Sequence, residues 1–255
     1  MKFKDKVVLI TGAAGGIGIA AAKQFADQGA KLALVDLSAA ALEKAAADIT
    51  SEKILIAANV AEEAEVEAYV KETKKKYGRI DVFVNNAGIN GDFADIVDQT
   101  LENYQNVLNV NVIGAFLGIK YVMKEMIEQQ SGAIVNTASN GGLLGAPGMS
   151  AYVASKHALL GINKSVALEA APHGIRVNAV CPSGVDTQMM RSIETNAAKG
   201  HEEEARKKFE ASVPLNRYAT ADEIANLMLF LASDDASFIT GSYYRIDGGG
   251  ATASV

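Results

Sequence analysis

The sequence predicts an α/β fold: one doubly wound, seven-stranded parallel sheet with helices on both faces. Seven short runs rich in β-branched residues alternate with long amphipathic stretches. The runs are apolar throughout rather than at every second residue, the pattern of strands covered on both sides. A glycine-rich turn joins the first run to the first amphipathic stretch.

Taken in order, strands are expected at 6–11, 31–36, 53–58, 81–85, 133–138, 175–181 and 243–247. Helices are expected at 16–28, 39–49, 62–77, 100–129, 149–171 and 220–233, with Ser38 and Asp222 as capping residues. Gln188 to Ser212 breaks the rhythm by inserting charged helix (His201-Glu202-Glu203-Glu204, Arg206-Lys207-Lys208) after the sixth strand. An insertion at a strand's C-terminal end predicts a lid over a substrate, mobile without ligand. No Pro, Ser or Gly cluster resembles a linker, so the 255 residues read as one dinucleotide-binding and catalytic domain.

Composition narrows the partners. A net charge of −6 argues against nucleic acid, and the one dense basic run, Lys74-Lys75-Lys76, falls where a helix C-terminus favours cations. Uninterrupted apolar stretches are shorter than a bilayer needs, so no transmembrane helix is expected. One cysteine, Cys181, allows no internal disulfide, and no apolar leader precedes the first strand; a reducing cytoplasm is the expectation. Three scattered histidines, His157, His173 and His201, predict no metal site, and Cys181 reads as a small buried hydrophobe. Helices 100–129 and 149–171 are apolar on more than one face, leaving surface for subunit packing.

The turn Thr11-Gly12-Ala13-Ala14-Gly15-Gly16-Ile17-Gly18 ends a strand and opens a helix. Glycines let the backbone approach a pyrophosphate, and the helix N-terminus offers N–H groups and positive dipole to its charge. Asp36, at the end of the second strand, can accept hydrogen bonds from an adenosine ribose. A carboxylate there repels a 2′-phosphate, and no Arg or Lys compensates, so NAD is expected over NADP.

In Ser150-Ala151-Tyr152-Val153-Ala154-Ser155-Lys156, Tyr152 and Lys156 stand four residues apart and share a helix face. A phenol's pKa of about 10 is too high for a base near neutrality, and a nearby ammonium together with an oxidised nicotinamide would stabilise the phenolate.

These segments resemble the short-chain dehydrogenase/reductase family, whose members carry a T-G-x-x-x-G-x-G turn and a Y-x-x-x-K pair on a Rossmann-type domain. Asn85-Asn86-Ala87-Gly88 resembles the family's segment after strand four, beside the adenosine half of the cofactor. Asn59-Val60 stands where the family has Asp-Val reading the adenine. Cys181-Pro182-Ser183-Gly184-Val185-Asp186-Thr187 resembles the P-G-x-x-x-T segment gripping the nicotinamide, with Ser183 replacing the glycine. The resemblance implies cofactor contacts at Gly12, Gly16, Ile17, Gly18, Asp36, Asn59, Val60, Asn86, Ala87, Gly88, Tyr152, Lys156, Pro182, Val185 and Thr187. It also implies a catalytic tetrad: Tyr152 transfers the proton, Lys156 lowers its pKa and holds the ribose, Ser139 orients the substrate oxygen, and the Asn111 backbone holds a relay water.

The resemblance thus implies reversible NAD(H)-dependent interconversion of a secondary alcohol and a ketone, in a homotetramer. The nearest rival is a 3-oxoacyl-[acyl-carrier-protein] reductase using NADPH, which needs basic surface near the entrance to dock an acidic carrier. The corresponding stretches, 125–130 and 171–174, contain no Arg or Lys. A cofactor-sensing protein without chemistry would have lost Tyr152 or Lys156, and a structural oligomer leaves the turn and tetrad unexplained. The segment from Gly141 to Met149, the 188–212 insertion and the tail after Gly248 are expected to shape the substrate pocket.

Overall fold

The computed structural model describes residues 1–252; residues 253–255, part of the expected pocket-shaping tail, lie outside that range. The strands are β1 (Val7–Thr11), β2 (Lys31–Asp36), β3 (Lys53–Ala57), β4 (Val82–Asn85), β5 (Gly132–Thr137), β6 (Ile175–Pro182) and β7 (Tyr243–Ile246). Every pairing is parallel, in the order β3-β2-β1-β4-β5-β6-β7. The order reverses between β1 and β4, where the crossovers diverge to opposite faces and leave a crevice at the strands' C-terminal ends.

Successive strand residues point to opposite faces, so continuous apolar runs feed two cores. On one face Val8, Ile10, Leu32 and Leu34 pack with Phe25 of α1 (Gly16–Asp27), Leu42 of α2 (Ala39–Ala45) and Met228 of α9 (Ala221–Ala232). On the other, Leu9, Ala33, Val35, Phe83 and Ile134 pack with Val66, Tyr69 and Val70 of α3 (Glu63–Tyr77), and with α5 (Ala115–Gln129) and α6 (Ser150–Ala170).

Three elements differ from expectation. The helix expected at 100–129 is α4 (Leu101–Leu108), a π-helical stretch (Asn109–Gly114) and α5 in continuous sequence. A side chain at Gly114 would meet Val60, with its Cβ 2.9 Å from Val60 Cγ2, so the wide turn sits where the chain passes tightly over the loop after β3. By length and composition alone this 29-residue run would pass as a membrane span, as core helices also can. Here it packs within the fold, burying Leu117, Ile119, Val122 and Met126. Ser38 caps α2 as expected, but α9 is capped by Thr220, not Asp222. Thr220 Oγ1 accepts from Glu223 N at 3.2 Å and Thr220 N donates back to Glu223 Oε2 at 2.8 Å, while Asp222 lies inside the first turn.

The 188–212 insertion forms two helices, α7 (Gln188–Ala197) and α8 (Glu202–Ala211), beside the C-terminal end of β6. It is not uniformly polar surface: Met190, Glu194, Ala205 and Val213 around it are buried.

Candidate active site

The glycine turn is shaped by contacts that leave no room for side chains. Gly12 has φ +64°, and a Cβ there would lie 2.9 Å from Ala87 Cα; a Cβ on Gly18 would lie 2.2 Å from Gly12 O. At Gly16 a Cβ would come 2.5 Å from Thr187 Cγ2, so the turn after β1 touches the segment after β6 across the crevice. The N-terminus of α1 opens into this cradle with no acidic residue in its first turn, which suits an anion such as a pyrophosphate.

Asp36 Oδ2 accepts from Ala14 N at 2.9 Å and Oδ1 from Leu37 N at 2.8 Å, fixing the carboxylate at the crevice edge and tying it to the turn. Asn86 joins β1 to β4: its Nδ2 donates to Thr11 O and Gly12 O at 3.1 and 3.2 Å, and its Oδ1 accepts from Thr137 Oγ1 at 3.1 Å. The Asn59 side chain is committed locally, its Oδ1 accepting from Ala61 N at 3.0 Å.

A single cavity of about 800 Å³ runs along the C-terminal ends of the strands. Gly12, Gly16, Ile17, Asp36, Asn59, Val60, Asn86, Ala87, Gly88, Ser139, Tyr152, Lys156, Pro182, Val185 and Thr187 all line it. Of the residues expected at the site, Gly18 and Asn111 lie behind this wall. Gly18 lets α1 close on the turn, and buried Asn111 braces what stands in front of it. Asn111 Oδ1 accepts from Ile89 N at 2.8 Å, and its Nδ2 donates to Ile89 O at 2.9 Å and Ser155 Oγ at 3.0 Å. The asparagine therefore links the π-helical stretch, the Gly88-Ile89 segment and the helix carrying Tyr152 and Lys156.

Ser139 Oγ accepts from Gly141 N at 3.0 Å, which fixes the hydroxyl at the head of the loop after β5. Tyr152 faces it from the first turn of α6, and burial pushes its phenol upward, partly offset by a hydrogen bond with Ser139. Lys156 is buried, its Nζ donating to Thr137 O at 2.8 Å, and burial pulls its ammonium down from 10.5 to about 8. The ammonium lies 5.6 Å from the Tyr152 ring centroid. Within the chain, burial outweighs the Ser139 hydrogen bond at Tyr152 and keeps the phenol raised, so the positive charge of an oxidised nicotinamide is what would favour phenolate. Cys181, buried behind this group, has its thiol pushed up to about 11 by burial. No cluster of metal-ligating side chains occurs among the described residues.

A buried asparagine chain, which the sequence reading missed, ties the site to the sheet. Asn85 Nδ2 donates to Ala115 O at 3.2 Å and Asn136 Oδ1 at 3.0 Å; Asn136 Nδ2 donates to Asn163 Oδ1 at 3.0 Å; Asn163 Nδ2 reaches Ser242 O at 3.4 Å. Asn85 and Asn136 near the ends of apolar strands, and Asn163 inside a helix, were its only trace in the sequence.

The model of a family described as enoyl-(acyl carrier protein) reductase matches residues 12–251. Levodione reductase of Leifsonia aquatica is 41% identical over 99% of this chain and 96% of its own. The chain belongs to the short-chain dehydrogenase/reductase family. A crystal structure of levodione reductase matches with a TM-score of 0.97, at 41% identity, covering 99% of this chain and 100% of that one. NAD+-bound xylitol dehydrogenase matches with a TM-score of 0.93, at 37% identity over 98% and 100% of the two chains. Another member of the short-chain dehydrogenase/reductase family, the 3-oxoacyl-[acyl-carrier-protein] reductase of Thermotoga maritima, is 40% identical over 98% and 99% of the two chains.

Proposed function

We propose that this protein catalyses the reversible oxidation of a secondary alcohol to a ketone with NAD(H). The observation that carries the reading is the convergence of Ser139, Tyr152 and Lys156 on one wall of a cavity whose other end is the glycine cradle edged by Asp36. NAD, when bound, supplies the hydride acceptor and a positive charge. The chain's own residues do the rest. The α1 N-terminus and glycine turn hold a pyrophosphate, and Asp36 holds a ribose whose 2′ position must be free of phosphate. Ser139 donates to the substrate oxygen, and Tyr152 gives or takes the proton on that oxygen. Lys156, anchored on Thr137 O, holds the nicotinamide ribose and favours the phenolate once a second positive charge stands nearby. The Asn111 backbone, in the π-helical stretch, would hold a water that relays protons from Lys156. Val60, Asn59, Asn86, Ala87 and Gly88 bound the adenosine half; Pro182, Val185 and Thr187 bound the nicotinamide half.

Residues 1–255 act as one catalytic unit with 188–212 as its substrate lid. Exposed Leu101, Ile113, Phe116 and Leu168 on the helices flanking the site support assembly as a homotetramer, and the single buried thiol suits a reducing compartment. The comparison of kcat/KM for NAD(H) and NADP(H) tests the reading: at least tenfold preference for NAD(H) is expected. Equal or better use of NADP(H) would revive the carrier-protein reductase. The sequence argument against that rival needs replacement, because 125–130 and 171–174 precede β5 and β6 and lie at the opposite edge of the sheet from the cavity. The arginines beside the cavity, Arg191 and Arg206, are instead engaged by Asp186, Glu194 and Glu210.

A further inference from the structure

Resting on the proposed alcohol/ketone chemistry, we infer that the substrate is uncharged and mainly hydrocarbon around its reacting carbon. Beyond Ser139 and Tyr152 the cavity is walled by Leu144 and Met149 on one side and by Met189, Ile193 and Phe209 of the two lid helices on the other. Among the described residues, the only ionisable Asp, Glu, Lys, Arg or His side chains lining the cavity are Asp36 and Lys156. Asp36 is at the adenosine end, held by Ala14 and Leu37 N–H groups, and Lys156 is spent on Thr137 O.

The nearest guanidiniums cannot serve as an anion clamp. Arg191 is engaged by Asp186 at 2.5 Å and Glu194 at 2.9 Å, and Arg206 by Asp186 at 3.3 Å and Glu210 at 2.9 Å. Both also lie over the Tyr218 ring, at 5.7 and 5.6 Å from its centroid. Three carboxylates for two guanidiniums leave this rim with excess negative charge. A substrate carboxylate, phosphate or sulfonate entering the pocket loses its water and gains no partner, and the rim repels it. Some of the polar side chains are occupied, Asn140 Nδ2 donating to Asp247 and the Ser212 hydroxyl to Phe209 O, whereas Asn140 Oδ1 is buried without a hydrogen-bond partner. The leucine, isoleucine, phenylalanine and methionine walls offer a chain of hydroxyls no side-chain hydrogen bond and adapt to varied hydrocarbon shapes.

The test uses wild-type protein with saturating NADH and matched ketones on cyclohexyl, linear alkyl and aryl skeletons, each bearing a methyl group, a carboxylate or several hydroxyls. The methyl-bearing ketone is expected to exceed its carboxylate partner at least 100-fold in kcat/KM on any skeleton reduced. Met189→Arg adds a cation at a rim position that is 39% exposed, where the fold tolerates it. It is expected to raise kcat/KM for the carboxylate at least tenfold and to lower that for the methyl compound. Carboxylates or polyhydroxy ketones used as well as the methyl compounds would overturn the inference while leaving the alcohol/ketone reading intact. No gain for carboxylates in Met189→Arg would overturn the assignment of this wall. Reduction of no ketone with NADH or NADPH, by protein shown to bind NADH, would overturn both.

Discussion

Replacing Lys156 by Met should weaken the enzyme without weakening the fold at neutral pH. The ammonium's proton affinity falls from an ordinary 10.5 to about 8 through burial. Each tenfold change in proton affinity is worth about 1.4 kcal/mol, so holding this lysine charged costs the folded state about 3 kcal/mol. The lost charge-assisted bond to Thr137 O returns roughly 1.5 to 3 kcal/mol of that. At pH 7 the variant is therefore expected to be equal to wild type or more stable by up to about 2 kcal/mol. The pH dependence is the sharper readout. Between pH 8 and 10.5 the unfolded chain still binds the lysine proton and the folded chain has released it, so wild-type stability rises with pH across that window. Lys156→Met has no such proton, and Tyr152, pushed upward by burial, stays protonated through most of the range. Urea unfolding at pH 7 and pH 10, at one fixed protein concentration, should show wild type gaining roughly 2 to 3 kcal/mol relative to the variant. A difference that stays flat, or that shrinks as pH rises, would refute the claim that burial without a counter-charge governs this lysine.

Tyr152→Phe is expected to lower kcat by more than 1000-fold while leaving the NADH dissociation constant within about threefold, measured by fluorescence titration and single-turnover kinetics; retention of most of the wild-type rate would remove Tyr152 from proton transfer. Gly18→Ala puts a Cβ 2.2 Å from Gly12 O, so cofactor affinity should fall at least tenfold and Tm should drop, read by titration and thermal unfolding. Hydrogen exchange over Gln188 to Ser212 should slow from the free protein to the NADH-bound and ternary forms while β1, β4 and β5 change little. Equal, strong protection in all three states would make the segment a fixed wall.

The sheet was legible because its strands are short, apolar on both faces and separated by helices long enough for crossovers, features that leave few alternatives to a parallel order. The glycine turn was legible because Gly12, Gly16 and Gly18 each fill a place where a Cβ collides. Interruptions of regular structure were harder. The π-helical stretch at Asn109–Gly114 inserts no proline and breaks no amphipathic pattern, so a single helix over 100–129 was the reading; the clues were an asparagine inside a helix and a glycine that must clear Val60. The cap of α9 was misplaced by two residues because Thr220 and Asp222 are both good capping residues, and only the reciprocal Glu223 bond separates them.

The 188–212 segment shows why charge alone is a poor guide to exposure. Glu194 sits in a run that reads as solvent-facing helix, yet it is buried, with Tyr218 donating to its Oε1 at 2.9 Å and Arg191 at 2.9 Å from its other oxygen. Tyr218 lies 24 residues away, ahead of α9, beyond the reach of any local periodicity. Its phenol is pushed far upward by burial and by the Glu194 carboxylate, so it remains a hydrogen-bond donor throughout the physiological range. The bond couples α7 to the loop that pairs Ala219 with Val185 beside the nicotinamide end of the cavity. The 188–212 helices and the loop after β6 are therefore joined through a buried polar contact, and any opening of this segment must break that contact or carry the loop with it. Either course makes exchange in 188–212 respond to cofactor before any substrate is present. A segment whose protection changed only on adding ketone would be moving independently of Tyr218.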